Sequence, residues 1–326
     1  MSSILDQVCS VGVESTYGSP ETSTVRSFEI KSDTFQRDVE YIQSIGLRRD
    51  MQTIRSDRDD TVSLGATGSL ELDVQNKGLG MLLQHLLGAV SGPTQIGSSA
   101  AYRTTASTND VGPAGSYTIQ ISRVDSGGTL RPYTYEGCVA TGFTIAQEIG
   151  SPLNLNISYD AENEQTSTGE ATPSYPSSTE VFNYTDCVIA IDGSAATNFT
   201  SFSLEGDLGM KTDRRFLKGS ATKSMPKRAS VPSYTGTIAA EFADLTDYNK
   251  FINGTPFSIN ASWNGSSIES PYNYEIVVEV PVAKFTGSTP VASLDDLTVQ
   301  ELPWVALDGG SSAAVTITYT STDTSL

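Results

Sequence analysis

Few side chains in this 326-residue chain are equipped for chemistry. His85 is its only histidine. It follows Gln84 in a leucine-rich stretch, off the apolar stripe, and reads as a solvated or interface residue rather than a catalytic base. Cys9, Cys138 and Cys187 form no pair at metal-ligand spacing, and one histidine does not complete a zinc site. They read as free, mostly buried thiols of a chain made in the cytoplasm. "SATK" (220–223) has the form of a Ser-x-x-Lys nucleophile pattern, but its companion motifs are missing and it sits in a basic loop. The acids of "SDRDDT" (56–61) lack the glycine and final glutamate of a calcium loop and read as a solvated charged turn. The sequence has neither a GxxxxGK[ST] phosphate loop nor a GxSxG elbow. These residues point away from catalysis, cofactor and metal.

Charge says more. A net charge of −18 argues against a general nucleic-acid clamp. Yet Lys211, Arg214, Arg215, Lys218, Lys223, Lys227 and Arg228 crowd one loop in which Asp213 is the lone acid. The sequence after it is acidic, from Glu241 and Asp244 to Glu275, Glu279 and Glu301. The corresponding loop of the first half, Ile45–Asp60, carries Arg48, Arg49, Arg55 and Arg58 mixed with acids. Such loops are either solvated or arms that dock on an acidic surface of a neighbouring copy. Nucleic-acid binding ranks third, because only Phe216 interleaves an aromatic ring with the charges of the basic loop.

Short alternating apolar runs and a Ser/Thr/Gly-rich composition predict strands as the elements that hold these residues. Two helices interrupt them. Leu79, Leu82, Leu83, Leu86 and Leu87 form one stripe, predicting a helix over 77–87 with Asn76 as cap and Gly88 as stop. Leu245, Tyr248 and Ile252 predict a second helix over 245–253, between Asp244 and Gly254. Each helix follows a strand, "GSLELDV" (68–74) or "GTIAAEF" (236–242). Further pairs occur in the same order: "SFEI" (27–30) with "SFSL" (201–204), "YTIQIS" (117–122) with "FSINAS" (257–262), "PYTYE" (132–136) with "PYNYE" (271–275), and "LNISY" (155–159) with "VTITY" (315–319). These pairs predict a mainly β protein of two tandem units, each a small β-sandwich or half-barrel flanked by one helix. The units are 1–160 and 181–326, joined by a polar linker at 161–180. The second carries an insertion near 286–312. Hydrophobic content of 37% suits a folded chain. The N-terminus has no basic, then apolar, signal pattern, and the longest apolar run, Met81–Val90, is too short to span a bilayer. Asn-x-Ser/Thr matches such as Asn198–Thr200 are discounted without a secretory signal.

Taken in order, "TYGSPET", "SIGLRRD", "GATGSLELDVQNKGLGMLLQHLLG", "YTIQISR" and "RPYTYEGCVATGFTIAQEIGSPLNLNISYDA" make the chain resemble the tail tube (major tail) proteins of long-tailed bacteriophages. The resemblance covers the first 160 residues directly and the rest through the repeat. It implies a non-enzymatic virion protein of β-sandwich fold whose rings stack into a tube for genome DNA delivery. Its implied partners are other copies of itself, the tape-measure protein and DNA passing through the lumen, and the tail terminator and tail-tip proteins. No cofactor and no membrane partner is implied. With two units per chain, three chains would close a pseudo-hexameric ring.

The same resemblance assigns roles. Arg48, Arg49, Arg214, Arg215, Lys218 and Lys223 become inter-ring contacts. Leu79, Leu82, Leu83, Leu86, Leu245, Tyr248 and Ile252 pack the helices. Gln120, Ser122, Glu275 and Glu279 are candidates for the lumen. The alternatives are a tail-tip ring protein of the same fold and a two-domain carbohydrate-binding adhesin, less favoured because Trp263 and Trp304 do not pair up in the repeat.

Overall fold

A computed structural model describes all residues except 1, 2, 4, 47, 51, 54, 288, 291–293, 295 and 296. The first half holds β1 (Val8–Val13), β2 (Val25–Phe28), β3 (Ile30–Asp33), β4 (Gln36–Gln43) and β5 (Asp59–Asp73). Helix α1 (Gly80–Leu87) and a hairpin, β6 (Gly88–Gln95) and β7 (Tyr102–Thr108), follow. Then come β8 (Tyr117–Val124), β9 (Leu130–Glu148), β10 (Asn154–Ala161) and β11 (Asn163–Gln165). The second half holds β12 (Cys187–Ile191), β13 (Ser194–Ala195), β14 (Phe199–Asp207), β15 (Met210–Lys211), β16 (Lys227–Arg228) and β17 (Ser233–Glu241). Helix α2 (Thr246–Asn253), β18 (Phe257–Glu269), β19 (Tyr272–Phe285), β20 (Val299–Ala306) and β21 (Thr316–Ser321) complete it. The strands pair antiparallel, and the mainly β prediction stands.

One order of ladders occurs twice. β1 pairs β8, β8 pairs β9, β9 pairs β10, β10 pairs β5, and β5 pairs β3 and β4. In the second half β12, β18, β19, β20, β17 and β14 follow that sequence. Registers agree as well. Val11 lies opposite Ile119 as Ile191 lies opposite Ile259. Gly68 lies opposite Tyr159 as Gly236 lies opposite Trp304. At Gly236 a side chain would collide with the Trp304 ring, so glycine makes room for the indole.

These registers correct part of the sequence reading. "GSLELDV"/"GTIAAEF" and "YTIQIS"/"FSINAS" occupy equivalent strands. "PYTYE"/"PYNYE" do not align: Tyr135 lies opposite Ile119, whereas Val280 lies opposite the equivalent Ile259. β18 runs on to Glu269 before its turn, which shifts β19 along. "SFEI" spans the end of β2, which pairs with β1 rather than β5. The counterpart of β10 is β20, not the "VTITY" strand β21. Part of the expected insertion near 286–312 is therefore a core strand, pairing with β17 and β19; 288, 291–293, 295 and 296 of that segment lie outside the described residues. The added element is in the first half, the β6–β7 hairpin.

That hairpin decides the fate of the helices. α1 leads straight into β6, with Gly88 in a positive-φ stop (φ 84°). Its residues Leu79, Leu82, Leu83 and Leu86 are buried as expected. The helix starts later than predicted, and Asn76 does not cap it. Asn76 instead binds the linker, accepting from Glu180 N at 3.0 Å through Oδ1. α2 has no following hairpin, since Gly254 (φ 60°) turns the chain directly toward β18. Asp244 Oδ1 accepts from Thr246 N at 2.7 Å at its start. Its stripe does not pack as predicted: Leu245 is 57% and Ile252 59% exposed, and Tyr248 is half-buried.

One apolar core runs through both halves, from Val11 and Leu70 to Trp263 and Tyr319. Segment 161–180 is no free tether either. It starts in β10, forms β11 against β9, and then crosses the sheet of β1, β2 and β8, where Ser27 N donates to Ser174 O at 2.9 Å.

Candidate functional site

The chain's chemistry is pairing between its own halves. β9 is long enough to serve two sheets: Leu130–Cys138 pairs with β8, and its C-terminal part runs between β10 and β14. On that second edge Ile145 lies opposite Leu204 and Gly142 opposite Asp207, so the sheet continues from one half into the other. A second ladder joins β7 to β21. Side chains close the seam. Trp263 Nε1 donates to Gln147 Oε1 at 3.0 Å in full burial. The last residues of the chain seal the entry to α1, where Gly78 N donates to Asp323 Oδ2 at 2.6 Å.

The basic loop lies on this seam. Lys223 ion-pairs with Asp160 of β10, both side chains buried. Burial pushes the Asp160 carboxyl up, while the Lys223 ammonium pulls it down. Arg215 donates to Ala221 O at 2.6 Å and to Leu64 O of β5 at 3.2 Å. Arg214 donates to Met225 O, and Lys218 reaches Ser224 Oγ at 3.4 Å. The expectation that Lys223 contacts another ring is thus corrected: its charge is neutralised within the chain. Lys223 also leaves no Ser-x-x-Lys pair, since Ser220 Oγ faces Thr222 Oγ1 at 3.0 Å. In the corresponding first-half loop Arg48 and Arg49 are exposed, and Arg49 lies 3.8 Å from Asp50.

His85 is a second correction. It is wholly buried, stacked on Tyr117 with centroids 3.8 Å apart, and its Nε2 accepts from Ala140 N at 3.2 Å. Burial pushes its pKa down to about 3. A one-stripe helix left it outside; the actual helix is enclosed on nearly every side. Gln120 and Ser122 are also buried rather than open to a channel. The linker covers Gln120, which donates to Gly169 O at 3.0 Å and accepts from Ala171 N at 2.7 Å. In the second half Glu279 of β19 is exposed and Glu275 half-buried.

The sequence reading missed a buried carboxylate group. Glu14 accepts from Ser116 Oγ at 2.6 Å, Thr118 Oγ1 at 2.9 Å and Gly137 N at 2.8 Å. Burial, then the charges of Glu14 and Glu162, push Glu136 up to about 7. The group's members lie just after β1, in β9 and between β10 and β11, and only the fold brings them together. Among the described residues no group of three His, Cys, Asp or Glu could hold a metal ion. Cys9 and Cys138 are buried free thiols and Cys187 is a half-buried one. Trp263 and Trp304 are both buried in the core, which removes the stacking surface an adhesin would use.

Unpaired surfaces occur among the described residues. The outer edge of β3–β4 carries no strand among the described residues, and Tyr41, Ile42 and Ile45 are exposed beside it. The apolar side of α2, with Leu245 and Ile252 exposed, is another.

The fold is that of a mainly β protein whose two halves share one ladder order and join edge to edge. The family model described as phage tail tube protein matches residues 5–306. The chain belongs to that family, and it is a component of the virion tail. No curated protein matches it. Among the described residues no helix is long and apolar enough to cross a membrane.

Proposed function

We propose that this chain is the repeating unit of the tail tube, built as two tandem tube folds, with three chains closing a ring that holds six folds. The rings stack into a conduit that carries the tape-measure protein and then genome DNA without specific binding, and tail terminator and tail-tip proteins bound its two ends. The role is structural, not enzymatic. Synthesis takes place in the host cytoplasm.

The observation that carries this reading is the β9–β14 ladder. It joins two like units side by side in one sheet, as neighbours in a ring would be joined. An acidic channel suits passage of a polyanion, because like charge prevents adhesion. Glu275 and Glu279, on an uncovered strand face, are the proposed channel residues. Arg48, Arg49, Arg214, Arg215 and Lys218 remain proposed contacts toward other copies.

Negative-stain microscopy of the purified chain tests the proposal. Rings or tubes are expected. A chain that stays monomeric at every concentration contradicts it.

A further inference from the structure

We propose that Lys223 and Asp160 form a modification site: the lysine amine condenses with the aspartate carboxyl to give an amide and one water, tying the second half of the chain covalently to the first. The inference rests on the fold alone and not on the tube reading above.

Three strands put the reacting groups on one face. Asp38 of β4 lies opposite Gly65 of β5, and Asp160 of β10 lies opposite Thr67 of β5. Residues directly opposite one another share a face, and so do residues two apart along a strand. Asp38, Gly65, Thr67 and Asp160 therefore stand together. Lys223 reaches the same spot, since a Cβ added at Gly65 would lie 3.2 Å from its Nζ. The glycine leaves the room that the amine fills. Thr67 Oγ1 donates to Asp38 Oδ2 at 3.1 Å and holds that second carboxylate in place.

Backbone bonds deliver the amine. Leu64 N donates to Ala221 O at 3.0 Å, and Ser224 N donates to Arg214 O at 2.8 Å. They seat the basic loop on β5 on either side of Lys223. Lys223 Nζ donates to Asp160 Oδ1, and the two side chains are only 6% and 4% exposed. Asp160 Oδ2 is buried and has no hydrogen-bond partner among the described residues.

The step balances without a co-reactant. Two protons leave Nζ in turn, and Asp38 passes them to Asp160 Oδ2. The freed lone pair attacks Cγ, the Nζ–Cγ bond forms, the Cγ–Oδ2 bond breaks, and Oδ2 departs as water. One positive and one negative charge vanish, which burial favours. Burial also raises the Asp160 carboxyl against the pull of Lys223, and Asp38 raises it further, toward the protonated form the step needs. Groups held in such contact react with effective molarities of about 10⁵–10⁸ M when well oriented. The neutral pair is the minor form of an ion pair, so the step is slow. The fresh chain holds the ion pair and the aged chain the amide, which links positions 63 residues apart.

Intact-mass spectrometry of the full chain, followed through incubation after folding, tests this. A species lighter by one water should accumulate. Trypsin should then release one branched peptide joining the segments that carry Asp160 and Lys223. The aged chain should unfold at a higher denaturant midpoint than the fresh one, because the link constrains the unfolded state. Lys223→Arg keeps the positive charge but removes the amine, and should lose no water. Asp38→Asn should condense about a hundredfold more slowly, the scale of a positioned proton carrier. A wild-type chain that keeps its full mass, or a water loss that maps to other residues, overturns the inference whether or not the variants fold. Asp38→Asn condensing at the wild-type rate overturns the role given to Asp38. None of these readouts depends on tube formation, so a failure here leaves the tube reading standing.

Discussion

Lys223, from the second half of the chain, ion-pairs with Asp160, from the first, and both side chains are almost fully buried. Neither has another charge partner as close. Removing one member leaves an uncompensated buried charge, which costs about 3–5 kcal/mol, whereas replacing both with apolar residues is often neutral. Lys223→Met should therefore lower stability by that amount in denaturant unfolding, and Lys223→Met with Asp160→Leu should recover most of it. A single variant as stable as wild type would show that the pair is not a tie between the halves.

Gln147 and Trp263 meet across the same seam. Gln147→Leu leaves the buried indole N–H without its acceptor, at a cost of about 1–3 kcal/mol. Calorimetry should show one cooperative transition moved to lower temperature, because a single core spans both halves. Two separate transitions in the wild-type chain would contradict the shared core.

The pH dependence follows from His85. Its folded pKa is lowered to about 3 from 6.5, so the unfolded chain binds the proton first as pH falls. The contribution is complete above pH 6.5 and is lost toward pH 3, at about 1.4 kcal/mol per unit. Glu136 acts the other way: its pKa is raised to about 7, so its contribution is complete below about 4.5 and lost as pH rises through 7. Comparing wild type with His85→Phe isolates the histidine. The difference in stability between them should change across pH 6.5 to 4; a constant difference would mean that His85 titrates in the fold as it does in the unfolded chain.

The two helices make a paired prediction. Leu86→Ala in buried α1 should cost about 2–5 kcal/mol. Ile252→Ala in exposed α2 should change monomer stability by about 0.5 kcal/mol or less. Equal losses would show that α2 is already covered.

Local pattern made the β class, both helices and two of the repeat pairs legible. "GSLELDV" and "GTIAAEF" alternate cleanly because one face of each strand meets the core. Register was less legible. "PYTYE" and "PYNYE" match by letters, yet β18 is longer than β8, and hairpin length sets which residues oppose. His85 was misplaced because a leucine stripe implies an exposed back, while the β6–β7 hairpin and the second half together enclose α1. Lys223 was misplaced because the partner that neutralises it, Asp160, lies 63 residues away in sequence.

The central claim, three chains and six folds per ring, is tested most directly by cryo-electron microscopy of the assembled tube. The account predicts true three-fold symmetry, with six β-folds around the lumen and two alternating seams, one of them the β9–β14 ladder. Six chains per ring, or a second half lying outside the ring wall, would contradict it.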